Sequence, residues 1–291
     1  MATKKTFKEM VNKVTLQGLL MESSLERRTD TRGKAYLAGG IHVMTSNDCI
    51  VPAEVFTYKI KNNGDANPLY DRLEKLVDFP TAATVGADDA PRVSITGARI
   101  QDNSFYSDRD NRIANNWRIG AAFINSVAKD AKELNEFEVE GVVASIKEVV
   151  GTDGESTGGY NLKLLNVGYG NRVNEVTLRF DEKEAIDYIN NTYNVGDLVT
   201  LCGTILYEQK EVTKERPTSF GKPVIQTYTN TTRLLKITAG TEPVGSDEHE
   251  FKLKELQAIV VERNKEIEEK FKARAQNTKA ATTKSVTNLR F

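Results

Sequence analysis

The chain has 291 residues, of which 39% are hydrophobic and 28% are charged, and its formal net charge is −1. These values are ordinary for a globular protein of about two domains and exclude wholesale disorder. A near-neutral total also excludes a globally basic, histone-like binder, although a nucleic-acid groove needs only a local positive field.

The apolar runs and the two cysteines indicate the expected cellular location of the protein. No apolar run has the length of a membrane span, and the lysines near the N-terminus are not followed by an apolar block. Cys49 and Cys202 lie in separate apolar stretches, which is typical of core thiols in a reducing compartment. A cytoplasmic protein without a membrane contact is therefore expected.

The first half of the chain alternates apolar and polar residues, which predicts strands, with one helical segment among them. The predicted elements in chain order are strands at 14–20, 36–44 and 53–60, a helix at 67–76, and strands at 91–100 and 117–127. Gly18 and Gly97 stand in the middle of the first and fourth of these strands. Asn67 and Pro68 predict the N-cap and first turn of the helix.

The second half repeats this order. Its predicted elements are strands at 137–143, 160–168 and 174–180, a helix at 181–193, and strands at 197–206 and 232–240. Gly141 and Gly203 match the two strand glycines of the first half, and Asp181 is the expected N-cap of the helix. The correspondence lies in element order and glycine placement, which indicates a duplicated fold.

Three strands, a helix and two strands is the element order of an OB-fold, a five-stranded Greek-key barrel. Glycines inside strands mark bulges and corners, which barrel closure requires, so the four strand glycines favour tandem OB-fold barrels over β-sandwiches. The fold class expected is thus mainly β, with a C-terminal helix and a flexible tail.

The domain boundaries follow from these elements. The expected parts are a first OB-fold domain at 1–127, a short helix-prone linker at 128–136, a second OB-fold domain at 137–240, a connector with a C-terminal helix at 241–275, and a disordered tail at 276–291. The apolar residues of the helix, Leu253, Leu256, Val260, Ile267 and Phe271, lie near one face. Packing of that face on the second barrel, or simple pairing of the helix's own charges, is favoured over a dimerising coiled coil.

Residues for catalysis are sparse. The two histidines, His42 and His249, are far apart, and no zinc spacing, phosphate loop, dinucleotide fingerprint or nucleophile elbow is present. The sequence therefore predicts a protein that is not an enzyme and that has no metal and no cofactor.

Loops and strands of the two barrels carry cations mixed with aromatic rings. An OB-fold binds ligands on strands two and three and on the loops that join strands one to two and four to five. Rings stack on bases of any sequence and cations follow phosphates, which suits single-stranded nucleic acid. The candidate binding residues are Arg27, Arg28, Arg32, Lys34, Tyr36, Tyr58, Phe105, Tyr106, Arg109 and Arg112 in the first copy, and Lys163, Tyr169, Arg179, Tyr207, Lys210, Lys214, Arg216, Phe220, Lys222 and Tyr228 in the second.

A structural interpretation competes with this one. Trp117, Ile119 and Phe123 alternate and are typical of core positions. Acidic residues dilute the positive charge of the same loops, namely Glu26, Asp30, Asp108, Glu211 and Glu215. The long loops could equally grip another protein subunit.

The segments "FEVEGVVASI", "YNLKLLNVGYG", "VTLRF" and "YNVGDLVTLCGTI", with the parallel first copy, resemble the tandem OB-fold single-stranded DNA-binding proteins of bacteriophages over residues 11–240. The resemblance implies a non-catalytic protein that coats single-stranded DNA during replication and recombination in the host cytoplasm. It also implies replication or recombination proteins as partners through the C-terminal helix or tail.

The chain departs from the family at its C-terminus, because members of the family commonly end in an acidic tail with an apolar tip. Here the chain ends "KSVTNLRF", whose residues flanking Leu289 and Phe291 are basic. The main alternative is a phage structural or assembly protein that uses its barrels as protein–protein modules. An RNA-binding OB protein is a second alternative, because the sequence does not place contacts to a 2′-hydroxyl. Oligomeric state, site size and cooperativity also stay open.

Overall fold

The computed structural model describes the backbone of residues 6–286, apart from 48, 152, 217 and 221, and side chains up to residue 273. The elements of the first half are β1 (Asn12–Ser23), β2 (Glu26–Thr29), β3 (Ala35–Ser46), β4 (Cys49–Tyr58), α1 (Pro68–Glu74), α2 (Ala82–Val85), β5 (Arg92–Asp102), β6 (Phe105–Ser107), β7 (Arg112–Ala114), β8 (Trp117–Ala121) and β9 (Phe123–Val127). The second half consists of β10 (Leu134–Val150), β11 (Ser156–Gly168), β12 (Arg172–Phe180), α3 (Lys183–Thr192), β13 (Leu198–Arg216), β14 (Val224–Gly240) and α4 (Leu253–Val286).

The first half closes into a five-stranded ring, barrel one. Its strands pair in the order β1–β3–β4–β8–β5 and back to β1, and only the β4–β8 pair of this ring is parallel. Alternate residues such as Leu16, Leu37 and Ile95 point inward and are fully buried. Helix α1 begins as predicted, with the Asn67 side chain accepting the N–H of Leu69 and Pro68 in the first turn.

The second half forms an equivalent ring, barrel two. Its strands pair in the order β10–β11–β12–β14–β13 and back to β10, and β12–β14 is its parallel pair. This topology confirms the predicted fold class of two tandem OB-fold barrels with a C-terminal helix.

The barrels share one continuous sheet. Asn12–Gln17 of β1 pair antiparallel with Leu134–Val139 of β10. Residues 134–136, which the sequence assigns to the end of a helix-prone linker, therefore belong to strand β10. Pairing with β1 outweighs the local helix propensity of that segment.

Two of the strand glycines have different physical roles. Gly97 has φ +66°, which is a left-handed conformation that only glycine adopts without strain. Gly203 lies at a register shift, where a Cβ atom would collide with the carbonyl oxygen of Lys236. Both glycines thus mark irregular points in their strands, one through its backbone conformation and the other through close approach of the neighbouring strand.

Other element ends differ from the sequence predictions. The N-cap position of α3 is Glu182, one residue after the predicted Asp181, and its side chain makes no capping hydrogen bond. The Asp181 carboxylate contacts the Lys236 ammonium at 2.9 Å. The strand predicted at 117–127 is divided, since β8 pairs with one part of β5 and β9 with another.

Helix α4 packs on barrel two, as predicted for its apolar face. Leu256 and Val260 are buried against Leu165 and Val173. The helix continues to Val286, so its backbone includes residues 276–286, which the sequence assigns to a disordered tail. That stretch contains neither glycine nor proline, and extending an existing helix needs no new nucleus. Residues 287–291 lie outside the described part of the chain.

Hydropathy of the helices bears on membrane association. None of the helices in the described ranges combines the length and apolar character that a membrane span requires.

Candidate nucleic-acid interface

The outer face of barrel one carries an open groove of about 930 Å³, formed by β3, β4, β5 and β8. Strand alternation sends Leu37 and Ile41 into the barrel, so Ala38 and Gly40 between them face outward. Small residues at these outward positions leave the floor of the groove open. Phe123 projects at its edge and is 49% exposed, which corrects the expectation that it belongs to the core.

An aromatic cluster of Tyr36, Phe56 and Tyr58 stands beside this groove. The ring centroids are 5.4 Å apart for Tyr36 and Phe56, 5.8 Å for Tyr36 and Tyr58, and 5.2 Å for Phe56 and Tyr58. Tyr36 and Tyr58 are direct cross-strand partners, and Phe56 is 60% exposed. The cluster therefore offers ring faces and edges on which bases can stack.

Two arginines line the groove. The Arg118 guanidinium contacts the Glu54 carboxylate at 2.6 Å, and that of Arg99 contacts Glu9 at 3.3 Å. Both guanidinium groups remain partly exposed, so they can also meet a phosphate. These arginines and Phe56 are absent from the sequence prediction. The alternation of β4, which puts Phe56 on the face of Tyr58, is a signal that could have found the ring.

Strands β13 and β14 extend past barrel two as a two-stranded ribbon, defined here as residues 207–216 paired with 224–233. The sequence predicts this segment as the loop between the last two strands of the second copy, whereas most of it forms two paired strands. Its alternation of Thr, Val, Ile and Tyr with polar residues suits a strand, and each residue from Tyr207 to Arg216 has a cross-strand partner.

Alternation separates the charges of the ribbon onto two faces. Directly opposed residues share a face. Lys210, Lys214 and Arg216 therefore lie on one side together with Tyr228, which opposes Val212. The Lys214 ammonium is 5.6 Å from the Tyr228 ring centroid.

Two of the three carboxylates in the first strand of the ribbon occupy the other side. Glu211 and Glu215 alternate with the lysines, and their cross-strand partners are Thr229 and Ile225. The ribbon thus has a mainly basic face, which carries an aromatic ring and one carboxylate, Glu208, and an opposite face with Glu211 and Glu215. Lys210 also contacts Glu208 at 3.0 Å, so the basic face is least neutralised toward its outer end.

The base of the ribbon is anchored on barrel one. The Arg233 guanidinium lies 3.8 Å from the Trp117 ring centroid and donates to the Asn116 side-chain oxygen and the Trp117 carbonyl. Burial lowers the pKa of Arg233. Trp117 is therefore covered by a cation, and Tyr207, opposite Arg233, packs against the core.

The groove and the ribbon meet. His42 and Pro52 line the groove and also a second cleft of about 690 Å³, which Tyr207 and Lys210 complete from the ribbon side. A continuous surface thus runs from the aromatic cluster across the groove to the basic face of the ribbon.

The loop that joins β1 to β3 carries four predicted cations, of which the three arginines contact carboxylates, and none of the four lines the groove. Arg27 contacts Glu74 at 3.0 Å, Arg28 contacts Glu26 at 3.0 Å, and Arg32 contacts Asp30 at 3.6 Å. The backbone N–H groups of Lys34 and Arg32 donate to Asp30, which lowers the pKa of that carboxyl. These three guanidinium groups remain partly exposed, as those of Arg99 and Arg118 do, and Arg28 lies directly opposite Tyr36 of the aromatic cluster.

The first strand four–five loop forms the β6–β7 hairpin. Its Tyr106 ring packs on Phe271 of α4, with centroids 4.5 Å apart, and the Tyr106 hydroxyl donates to Asn111. Phe105, Arg109 and Arg112 are exposed on this hairpin. None of these three residues lines the groove.

The face of barrel two that corresponds to the groove is covered. Outward residues Leu165, Val167 and Val173 of β11 and β12 are buried under Phe251 and α4. Arg263 of α4 completes the cover by ion pairs to Glu175 at 2.9 Å and to Asp102 of barrel one. Of the predicted residues there, Lys163 is paired with Glu175 at 3.1 Å, Arg179 donates to Thr157 at 3.0 Å, and Tyr169 is 79% exposed.

Phe220 and Lys222 lie at the tip of the ribbon and are exposed. The Thr218 hydroxyl bonds to their carbonyl oxygens at 2.8 and 3.2 Å. In the described residues, no group of three or more His, Cys, Asp or Glu side chains is arranged to hold a metal ion.

Known proteins share this architecture. A model of the YorF family matches residues 10–273. The wild-type single-stranded DNA binding protein from Thermus aquaticus has 12% identity and a TM-score of 0.50, covering 82% of this chain and 95% of its own. A deletion variant of the same protein has 12% identity and a TM-score of 0.50, covering 84% and 98%. At this identity the likeness concerns the fold, and no curated protein matches the chain in sequence.

Proposed function

This chain belongs to the YorF family, and we propose that it is a non-catalytic protein that binds single-stranded DNA. The observation that carries the proposal is the continuous surface from the aromatic cluster, across the groove of barrel one, to the basic face of the ribbon. The similar fold of the single-stranded DNA binding protein from Thermus aquaticus supports the same proposal.

Binding at this surface follows from two physical effects. Each base that stacks on an exposed ring such as Phe56 contributes about 1–3 kcal/mol whatever its sequence, because every base has a π-face. Lys214 and Arg216 on the ribbon, and Arg99 and Arg118 in the groove, neutralise phosphates and release counterions. Neither effect reads base edges, so binding is without sequence specificity.

The biological role we propose is the coating and protection of single strands during phage DNA replication and recombination in the host cytoplasm. The resemblance to phage proteins with tandem OB-folds supports it. The exposed side of α4 and the tail beyond it are the proposed contacts for replication or recombination proteins.

A titration of fluorescently labelled oligo-dT, followed by anisotropy at several salt concentrations, tests the function. Anisotropy is preferred to tryptophan quenching because Arg233 already covers the Trp117 ring. We expect saturable binding whose logarithm falls linearly with the logarithm of salt concentration, and weaker binding to a duplex of equal length.

Two competitors distinguish the alternatives. Oligo-dT should displace the labelled strand better than oligo-U if the ligand is DNA. Stronger displacement by oligo-U would instead establish an RNA-binding protein. Absence of binding at low salt would overturn the proposal in favour of a phage structural or assembly protein.

A further inference from the structure

The outer edge of β14 along the ribbon is a strand edge without a neighbour. In the described part of the chain, residues 224–233 pair with β13 on one side and with no strand on the other. Alternate N–H and C=O groups of such an edge strand point away from its antiparallel partner. The ribbon therefore presents a row of main-chain donors and acceptors to which another strand can be added.

The two edges of the ribbon differ in how their sequences protect them. Six of the ten residues at 207–216 of β13 are charged, and charged side chains are a common means of blocking an edge. The stretch 224–232 of β14, named here the neutral edge, reads "VIQTYTNTT" and has no charge, no proline and no glycine. Pro223 and Arg233 bound it. Its uncharged composition, rich in β-branched residues, favours the addition of a strand.

Other strand edges are less suited to this role. In the described residues β2 pairs only with β3, and β9 pairs only with β5. β2 has four residues, of which three are charged, and β9 has five residues. The neutral edge is longer than either of them and has no charge, so it is the favoured site for strand addition.

The strand that is added must itself have an unblocked edge, because both strands of a new pair contribute main-chain groups. Every copy of this chain carries one, namely its own neutral edge. We infer that the neutral edges of two copies pair antiparallel about a twofold axis, which joins the two ribbons into one four-stranded sheet. Such a contact is isologous, since the same residues of both copies form it.

Symmetry determines which residues meet. Directly opposed residues of an antiparallel pair share a face, so a twofold axis perpendicular to the sheet places even positions opposite even positions and odd opposite odd. Full overlap of the neutral edges centres on Tyr228, which then meets Tyr228 of the second copy. Thr227 opposes Thr229, and Gln226 opposes Asn230. Threonine pairs hydrogen-bond across strands, and no like charges are directly opposed in this register.

The same symmetry joins the basic faces of the two ribbons on one side of the sheet. Lys214 lies on the face of Tyr228 in each copy, so both faces are open to one strand of DNA; this consequence rests on the proposed function, whereas the pairing does not. The two β13 strands are three strand spacings apart, about 14 Å. That distance exceeds the Debye length of about 8 Å at physiological salt, so the repulsion between their cations is largely screened.

Sedimentation equilibrium of the purified full-length protein without nucleic acid tests the pairing. The wild type should pass from monomer to dimer with rising concentration and grow no further, because an isologous contact uses each edge once. Thr227→Lys with Thr229→Lys places lysines of the two copies opposite one another and should weaken dimerisation at least about tenfold. The matched control, Gln209→Lys with Thr213→Lys, adds the same charge on the same face of β13 and should dimerise like the wild type.

Three results of this experiment contradict the inference. A wild type that stays monomeric at every concentration overturns it. Equal weakening by the two double variants overturns it as well, since the edge of β14 would then have no special role. Growth of the wild type beyond a dimer is incompatible with a contact that uses each edge once.

Disulfide trapping tests the register. In the twofold pair, Tyr228→Cys meets its own copy at a Cα separation of about 4.5–5.5 Å, which a disulfide can span. Gln226→Cys lies on the same edge and the same face, but its copy is four residues away along the strands, about 13 Å, so it is the matched control. Oxidation should give a cross-linked dimer on a non-reducing gel with Tyr228→Cys alone. Equal cross-linking of both variants, or none with Tyr228→Cys, contradicts the pairing.

An oligo-dT titration separates this inference from the proposed function. Thr227 and Thr229 lie on the face opposite Lys214, so the double lysine variant should still bind oligo-dT while it sediments as a monomer. That combination supports the pairing of neutral edges. A wild type that dimerises through this edge but does not bind oligo-dT overturns the proposed function and still supports the pairing.

Discussion

The two barrels have the same strand order and opposite uses for the same face. In barrel one the outward residues of β3 and β4 leave a groove beside three clustered rings. In barrel two the corresponding outward residues are apolar and lie under α4. The OB-fold alone thus does not determine a binding site. The side chains that point outward from the barrel strands determine whether that face is open to a ligand or covered by another part of the chain.

The cause is visible in two strands. β3 alternates strictly around Leu37 and Ile41, with small or polar residues between them. β11 instead has four consecutive buried residues, Leu164 to Val167, so it is covered on both sides.

The largest expected effect is a loss of oligo-dT affinity when rings of the aromatic cluster on barrel one are removed. The double change Tyr36→Ala with Phe56→Ala removes stacking for two bases and should weaken oligo-dT binding by about 2–6 kcal/mol. Anisotropy titration measures the loss. An affinity equal to that of the wild type would show that barrel one does not hold the strand.

The next largest effect concerns the stability of barrel two, whose outer face is covered by α4. Leu256→Ala creates a cavity at a fully buried position and should lower the free energy of unfolding by about 2–5 kcal/mol. Urea denaturation measures it, with exposed Val261→Ala as the matched control on the same helix, expected within about 0.5 kcal/mol. Oligo-dT affinity of the folded Leu256→Ala protein should not change, and a gain in affinity would show that α4 competes with DNA.

The ribbon belongs to barrel two but extends the proposed binding surface of barrel one. Its basic face should therefore contribute to the salt dependence of DNA binding. Replacing Lys210, Lys214 and Arg216 together by Gln should reduce the salt slope by about 2 and the affinity roughly tenfold. The matched control replaces Glu211 and Glu215 by Gln on the opposite face, where the slope should stay the same. Equal slopes for both variants would contradict the separation of charge by face.

The smallest effect concerns an exposed ring outside the continuous surface. Tyr169→Ala on barrel two should change oligo-dT affinity by less than about 0.5 kcal/mol, although its exposure exceeds that of Phe56. The same titration decides it. A loss as large as that of the double variant in barrel one would restore the sequence prediction that both barrels bind in the same manner.

Predicted contacts in the sequence had different outcomes for a physical reason. Tyr36 and Tyr58 could be placed together because strand alternation and cross-strand register are local rules. The pairing of Arg27 could not be predicted, since Glu74, which holds it, comes from a helix 47 residues away. The ribbon was predicted as a loop, and only its pairing register revealed that the cations of its first strand share one face and that two of the three carboxylates of that strand lie on the other.

By itself the sequence determined the two barrels, since the order of strands, helix and strand glycines follows from hydrophobic periodicity and backbone conformation. It also determined the amphipathic face of α4. Only the tertiary structure decided which barrel keeps an open outer face, where the ribbon rests, and which cations are already paired. Those properties depend on contacts between residues far apart in the chain, such as Arg233 with Trp117 and Arg263 with Asp102, and no local pattern encodes them.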